Sequence, residues 1–316
     1  MEAIIMGRVV LIACTNVGRS MIEAIMNSPS LTNISLAGIV NLKPEAAIEK
    51  ANYDSYIDLV KKYSLNAYYC ENVNETDCVR FLNDCKPDII IQSGWSQKFK
   101  QEILDIPRFA CIGEHPAPLP KGRGAACINW AIITGEHEWG DTFFKMETDY
   151  DTGAIYSQEH FTIEIYDDVK TVYDKVAKVS VNAIEKHLPD WVEGNLDGHK
   201  QNDAEATHYP RRRPSDGEFK FQDDSALNIY NHIRGQAKPY PGAFFYFNPP
   251  AGRKASTKIY VWKARLGKSI DDNEIGVQCK DGEYVIIQRV QAEGDTEQWA
   301  ADYFKDYACN KVLNIC

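Results

Sequence analysis

Residues 107–156, PRFACIGEHPAPLPKGRGAACINWAIITGEHEWGDTFFKMETDYDTGAIY, decide how the rest of the chain is read. The apolar run Phe109–Ile112 reads as a strand buried on both faces, and it leads to a lone polar histidine, His115. A proline-rich turn, His115-Pro116-Ala117-Pro118-Leu119-Pro120, follows at once. A basic, glycine-containing loop (Lys121–Gly124) then opens a helical run carrying Ile128, Trp130 and Ile133. Two strand-like runs close the segment around an acidic loop, Asp149-Tyr150-Asp151-Thr152-Gly153. Open α/β sheets place their chemistry at the carboxyl ends of buried strands, and His115 stands at such an end.

Toward the N-terminus the same alternation repeats. Arg8–Cys14, Ile34–Val40, a short run near Ala67 and Pro87–Ile91 have the length and apolarity of buried strands. Helical patterns lie between them: Met21–Met26, Tyr56–Tyr63, a segment reaching Cys85 that Asn74 and Asp77 would open as a capping pair, and Lys98–Leu104. The alternation predicts βαβ units, hence an α/β fold with a Rossmann-like, mainly parallel sheet and helices on both faces. A long amphipathic helix, Asp167–His187, follows. From Asp190 the composition shifts to Gly, Asn, Asp and His, and the stretch ends in Tyr209-Pro210-Arg211-Arg212-Arg213-Pro214, which reads as a linker. Beyond Gly217 a helix (226–236) precedes short alternating strands at 244–247, 258–263, 275–279 and 283–290. Turns such as Asp281-Gly282 join them, predicting a small β-barrel-like (OB-like) module closed by a helical piece at 298–304. The expected organisation is an α/β domain over 1–190, a linker over 191–217 and a β-rich domain over 218–316.

With 316 residues, the chain is long enough for a large core and two domains. Its net charge of −10 disfavours a nucleic-acid backbone as partner, though not a small anion held by a few local arginines. No apolar run reaches the ~18 residues of a membrane span. Met1–Gly7 lacks the basic flank and cleavage site of a signal peptide, so cytoplasm is the default expectation. Nine scattered cysteines lack paired C-x2-C spacing and read as reduced packing thiols rather than a metal site.

The residues permit acid–base chemistry. His115 can act as a general base, because histidine is the side chain whose unperturbed charge change falls near neutral pH. The chain after it returns Asp151 to the same sheet edge, where a carboxylate would orient the imidazole and favour its protonated form. G-x-S-x-G and H-E-x-x-H are both absent, which favours direct transfer over a covalent intermediate or metal hydrolysis. A hydrogen-bonded structural histidine is the alternative. The loop Thr15–Ser20 opens a helix and could offer backbone N–H groups and Arg19 to an anion, or be a plain βα turn.

Taken together, these motifs resemble the folate-dependent formyltransferases, the family of the methionyl-tRNA formyltransferases and sugar N-formyltransferases. The family pattern runs from a strand ending in Asn-x-His through a Pro/Ser-Leu-Leu-Pro turn, R-G-x-x-P-x-x-W and a G-x-T strand to D-x-G. It stands here as Gly113-Glu114-His115, Pro116–Pro120, Arg123-Gly124 with Trp130, Gly140-Asp141-Thr142 and Asp151-Thr152-Gly153. Further matches (Arg213-Pro214, His232-Ile233-Arg234-Gly235 and Pro239-Tyr240-Pro241-Gly242-Ala243) carry it through the C-terminal part. The resemblance implies catalytic roles for His115 and Asp151 and N10-formyltetrahydrofolate as formyl donor, with no metal. It implies donor contacts from Gln92, Ser93, Gly94, Trp95, Asp149 and Gly153, and acceptor contacts from Asn16, Arg19, Pro116, Ala117 and Arg123. An amine would attack the formyl carbon while His115 stabilises the oxyanion or shuttles the amine proton. One departure matters: Gly113 stands where the family has a catalytic asparagine, with Gln92 and Glu114 as neighbouring side chains that could substitute.

The acceptor expected from charge is a nucleotide-linked amino sugar in glycan biosynthesis rather than tRNA. The loop after the second strand mixes Lys43 and Lys50 with Glu45 and Asp54 instead of forming a basic insertion. Methionyl-tRNA formyl transfer, formyltetrahydrofolate hydrolysis and a catalytically weak binding homologue are the alternatives, the last prompted by Gly113. Edge strands of the β module could pair in a homodimer.

Overall fold

The computed structural model describes residues 6–48, 50–249 and 256–314. They form two compact units, each discontinuous in sequence: residues 1–127, 138–162 and 173–210, and residues 128–137, 163–172 and 211–316.

In chain order the first part runs β1 (Gly7–Ala13), α1 (Asn16–Asn27), β2 (Ile34–Leu42), α2 (Ile57–Tyr63), β3 (Ala67–Cys70), α3 (Thr76–Cys85), β4 (Ile89–Ser93), α4 (Gln101–Leu104) and β5 (Ala110–His115). It continues through β6 (Arg123–Gly124), α5 (Cys127–Ile133), β7 (Glu138–Lys145), β8 (Ile155–Thr162), α6 (Val169–Trp191) and β9 (His208–Tyr209). The main sheet has the order β3-β2-β1-β4-β5-β7-β8. Pairing is parallel from β3 to β5, as the continuous apolar runs require: Val9–Ala13 and Ile89–Ile91 have no exposure at all. Direction then reverses, with β7 antiparallel to both β5 and β8. Strand order also reverses between β1 and β4, the switch point where open α/β sheets leave a crevice beyond the strand ends. Helix α3 begins at Thr76 with Glu75 as N-cap. Asn74 instead spends its side chain on the Lys98 carbonyl and the Lys100 amide, so the expected Asn74–Asp77 cap does not form.

The second unit contains α7 (Ala226–Gly235), β10 (Ala243–Phe247), β11 (Thr257–Leu266), β12 (Ile275–Gln278), β13 (Tyr284–Ala292), β14 (Gln298–Trp299) and α8 (Ala300–Phe304). Its antiparallel sheet runs β10-β11-β13-β12, with β14 on β13. The alternation read from the sequence puts Phe245, Phe247, Ile259 and Val261 inward, where they meet Phe219, Phe221 and Phe304. Edge-to-face pairs such as Phe221–Phe245, 5.2 Å apart, organise this aromatic core. Asn129 of α5 donates to the Gly235 carbonyl at 2.7 Å, a reason for a buried amide in that helix.

Among the described residues no helix is long and apolar enough to cross a membrane, and the cysteines are free, all but Cys309 buried.

Candidate active site

Strand β5 delivers His115, 8% exposed, to the carboxyl edge of the sheet. Its Nε2 lies 2.8 Å from the Gly122 carbonyl, which can only accept, so Nε2 carries the proton of the neutral ring. That leaves Nδ1 as the basic atom, and it faces Asp151 Oδ1 across 3.9 Å. The gap is too long for a hydrogen bond but short enough for the carboxylate to stabilise an imidazolium.

Asp151 occupies the loop between β7 and β8 with φ of 57°, the left-handed region that aspartate tolerates better than most residues. Its Oδ2 accepts from the Gly124 amide at 2.9 Å, fixing the rotamer that turns Oδ1 toward the ring. Two residues on, Gly153 lies where any Cβ would sit 1.8 Å from the Lys145 carbonyl, so only glycine lets the loop close against β7. Gln201 donates to the Asp151 and Gly153 carbonyls at 2.9 and 2.8 Å while its oxygen accepts from Arg123.

The proline turn is clamped by side chains from β7 and β8. Thr142 donates to the Ala117 carbonyl and accepts from the Leu119 amide, Gln158 donates to both Thr142 and the Leu119 carbonyl, and Trp139 donates to the Pro116 carbonyl. Ala117 is fully buried and Pro116 contributes its carbonyl to this clamp.

A small cavity is lined by Gln92, Trp95, Phe144, Met146 and the acidic loop, including Asp149 and Asp151. Of the residues expected to hold the donor, Gln92, Trp95 and Asp149 therefore come together beside Asp151. Gln92, 9% exposed, donates to the Trp95 carbonyl at 3.3 Å. Gly94 turns the chain there with φ of 61°. Ser93 points to the opposite sheet face, where its hydroxyl donates to Glu114.

The departure at Gly113 has a packing counterpart. Gly113 lies opposite Gln92 on β4 and Phe144 on β7, so all three project from one face. A Cβ on Gly113 would fall 2.8 Å from the Phe144 ring, which covers the position. Glu114, one of the two expected stand-ins, is turned to the other face, leaving Gln92 as the amide beside the gap.

The residues expected to hold the acceptor are more dispersed. Asn16 opens α1 at the β1 edge and accepts from Asn52 at 2.7 Å. Arg19 is chelated by Asp54 and Asp58, each through both carboxylate oxygens. The Arg19 guanidinium in turn holds Asp58 down to about 2. Arg123 is 4% exposed and bonded to Gln201 and Asp203. An anion would therefore have to compete with carboxylates for either guanidinium.

Gln201, Gln158 and Phe144 escaped the sequence reading because their partners lie up to 78 residues away and only tertiary pairing reveals them. Glu114 and Asp141 did leave a signal: each is a carboxylate inside a strand rather than in a loop, and both positions are buried.

The family described as Formyl transferase matches residues 9–188, and Formyl transferase, C-terminal domain, matches residues 212–308. The bifunctional polymyxin resistance protein ArnA of Wigglesworthia glossinidia brevipalpis is 30% identical over 255 residues, 78% of this chain but 38% of that relative. Methionyl-tRNA formyltransferase of Caldanaerobacter subterraneus subsp. tengcongensis is 29% identical over 264 residues, 80% of this chain and 82% of the relative. Among solved structures, the N-formyltransferase from Helicobacter canadensis, in complex with folinic acid and dTDP-3-aminofucose, aligns with a TM-score of 0.65 at 16% identity, covering 90% of this chain and 99% of that one. The two matched segments span both the sheet that carries His115 and the antiparallel module, and the chain belongs to the formyl transferase family, whose members transfer one-carbon groups.

Proposed function

We propose that the protein moves a formyl group from N10-formyltetrahydrofolate to the amine of a nucleotide-linked amino sugar, in the cytoplasm and in glycan biosynthesis. The observation that carries the chemistry is the His115–Asp151 pair, with Nε2 tied to the Gly122 carbonyl and Nδ1 left basic toward Asp151. The attacking amine forms its bond to the formyl carbon and loses its proton to Nδ1 as the tetrahedral intermediate forms, the imidazolium developing against the Asp151 carboxylate. Collapse breaks the bond from the formyl carbon to the folate nitrogen. That proton then passes to the departing folate nitrogen. Gln92 supplies the amide donor that Gly113 cannot, and Trp95, Asp149 and the backbone of Gly94 and Gly153 hold the donor's ring system. Asn16, the Pro116–Ala117 turn and the arginines Arg19 and Arg123 shape the acceptor side.

Charge supports the acceptor. A net charge of −10 repels a polyphosphate backbone, whereas a nucleoside diphosphate asks for only a few local contacts. The test is to incubate the protein with N10-formyltetrahydrofolate and a panel of nucleotide amino sugars. Tetrahydrofolate release with one of the sugars is the expected result; release only with charged initiator tRNA overturns the acceptor, and release without any acceptor makes the protein a hydrolase. A second reading, a folate- or sugar-binding protein with little turnover, is favoured by the Phe144 ring over Gly113. It requires ligand binding without release in any arm.

A further inference from the structure

On the sheet face opposite His115 lies a group of polar side chains that the transfer chemistry does not use. Ser93 of β4 donates to Glu114 Oε2 at 2.6 Å, and Ser180 of α6 donates to Asp141 Oδ2. All four residues are buried, between 0 and 4% exposed. The remaining oxygens, Glu114 Oε1 and Asp141 Oδ1, are buried without a donor. In the β5–β7 register Glu114 lies opposite Phe143, which puts Asp141, two residues along β7, on the same face as its diagonal neighbour. Two buried carboxylates cannot stand side by side with facing lone pairs, so a proton held between them is what satisfies both orphaned oxygens.

We propose that Glu114 and Asp141 share one proton and act as a single buried negative charge beneath β5, a second counter-charge that with Asp151 sets the protonation of His115. Glu114 adjoins His115 in the strand, and the interaction between the two is electrostatic rather than a contact. The groups acting on the pair include the Ser93 hydroxyl from β4, His115 from β5, the Thr142 backbone from β7 and the Ser180 hydroxyl from α6. None of these groups carries a fixed positive charge, and His115 is the titratable one among them. Burial raises both carboxyls above the usual carboxylate range, most strongly Asp141, as a proton-sharing pair requires. Glu114 and Asp141 are positioning residues, because they touch neither donor nor acceptor and work through the imidazole.

The role assigned to His115 rests on the proposed transfer, but the test does not need turnover. His115 is titrated by NMR in the full chain labelled at histidine, its signal assigned by loss in H115Q. E114Q fixes one charge on the pair, since the amide donates to an ionised Asp141, whereas E114Q/D141N carries none. The double variant is expected to lower the His115 midpoint by about one pH unit, the size of shift a nearby charge imposes, with E114Q leaving it in place. If the double amide does not fold, E114L/D141V removes the charge with apolar side chains and carries the same expectation. A His115 midpoint unchanged in the neutral variants overturns the proposal, as does an upward shift in E114Q, which would mean that the wild-type pair holds two protons. In an active preparation the acid limb of the kcat/KM profile follows the same shift. Loss of activity in H115Q with an unchanged NMR response in the double variant would separate a sound transfer reading from a failed counter-charge.

Discussion

At the scale of single residues, Gly113 and Phe144 are one decision rather than two. The ring occupies the volume that a side chain on β5 would need, so G113N alone overpacks the site and is expected to destabilise by about 1–3 kcal/mol. Pairing it with F144A should recover much of that loss, and urea unfolding of both variants measures the coupling. On the same row, Q92L is expected to reduce kcat by ~10²–10³-fold if its amide serves the oxyanion; a change confined to KM would assign it to donor binding. The Glu114–Asp141 pair gives a pH prediction of definite sign. Its carboxyls are raised by burial, so the native state holds a proton that the unfolded chain releases above the ordinary carboxylate range near ~4. Protons bound in the native state exceed those in the unfolded state there. Stability therefore falls as pH rises from that range toward the native pKa, by at most about 1.4 kcal/mol per pH unit. Denaturant midpoints should show this slope in the wild type and a flatter one in E114L/D141V.

At the scale of elements, the site depends on a loop held from a distance. Gln201 lies beyond α6, in a stretch whose composition reads as linker, yet its amide bridges Arg123 to the Asp151 and Gly153 carbonyls. The adjacent β9 pairs with β6 in parallel register at Arg123 and Gly124. Q201L should let the Asp151 loop drift from His115. A misplacement near 1 Å costs on the order of 10²-fold, so the expected loss is in kcat, with folded stability changed little by comparison. Proteolysis at the 147–152 loop, faster in Q201L than in wild type, gives an independent readout. The histidine strand, the proline turn and the D-x-G loop were legible because each is written locally, in an apolar run, a proline cluster or a glycine that only one backbone geometry explains. The contacts that clamp them were not legible. Thr142 with Ala117 and Gln201 with Asp151 join residues 25 and 50 positions apart, and nothing in either neighbourhood marks the partner.

At the scale of the whole molecule, alternation of strands and helices was enough to read a mainly parallel sheet followed by an antiparallel module, and both are present. The reversal of β7 between β5 and β8 was not readable from apolar runs, because direction is set by how the intervening chain returns, not by the strand's own residues. Charge is the other whole-molecule property, and it bears on the acceptor: 45 acidic against 35 basic residues weigh against a polyanion. The central claim, direct formyl transfer to an amino sugar through His115, is tested most directly by a single-turnover reaction. Donor carrying a labelled formyl carbon is mixed with excess enzyme and the sugar nucleotide that performs best in the panel. Label on the sugar amine, equal to the tetrahydrofolate formed, and a rate reduced by ~10²–10⁴-fold in H115Q is the predicted result. Label recovered as free formate, or an H115Q rate equal to wild type, would contradict it.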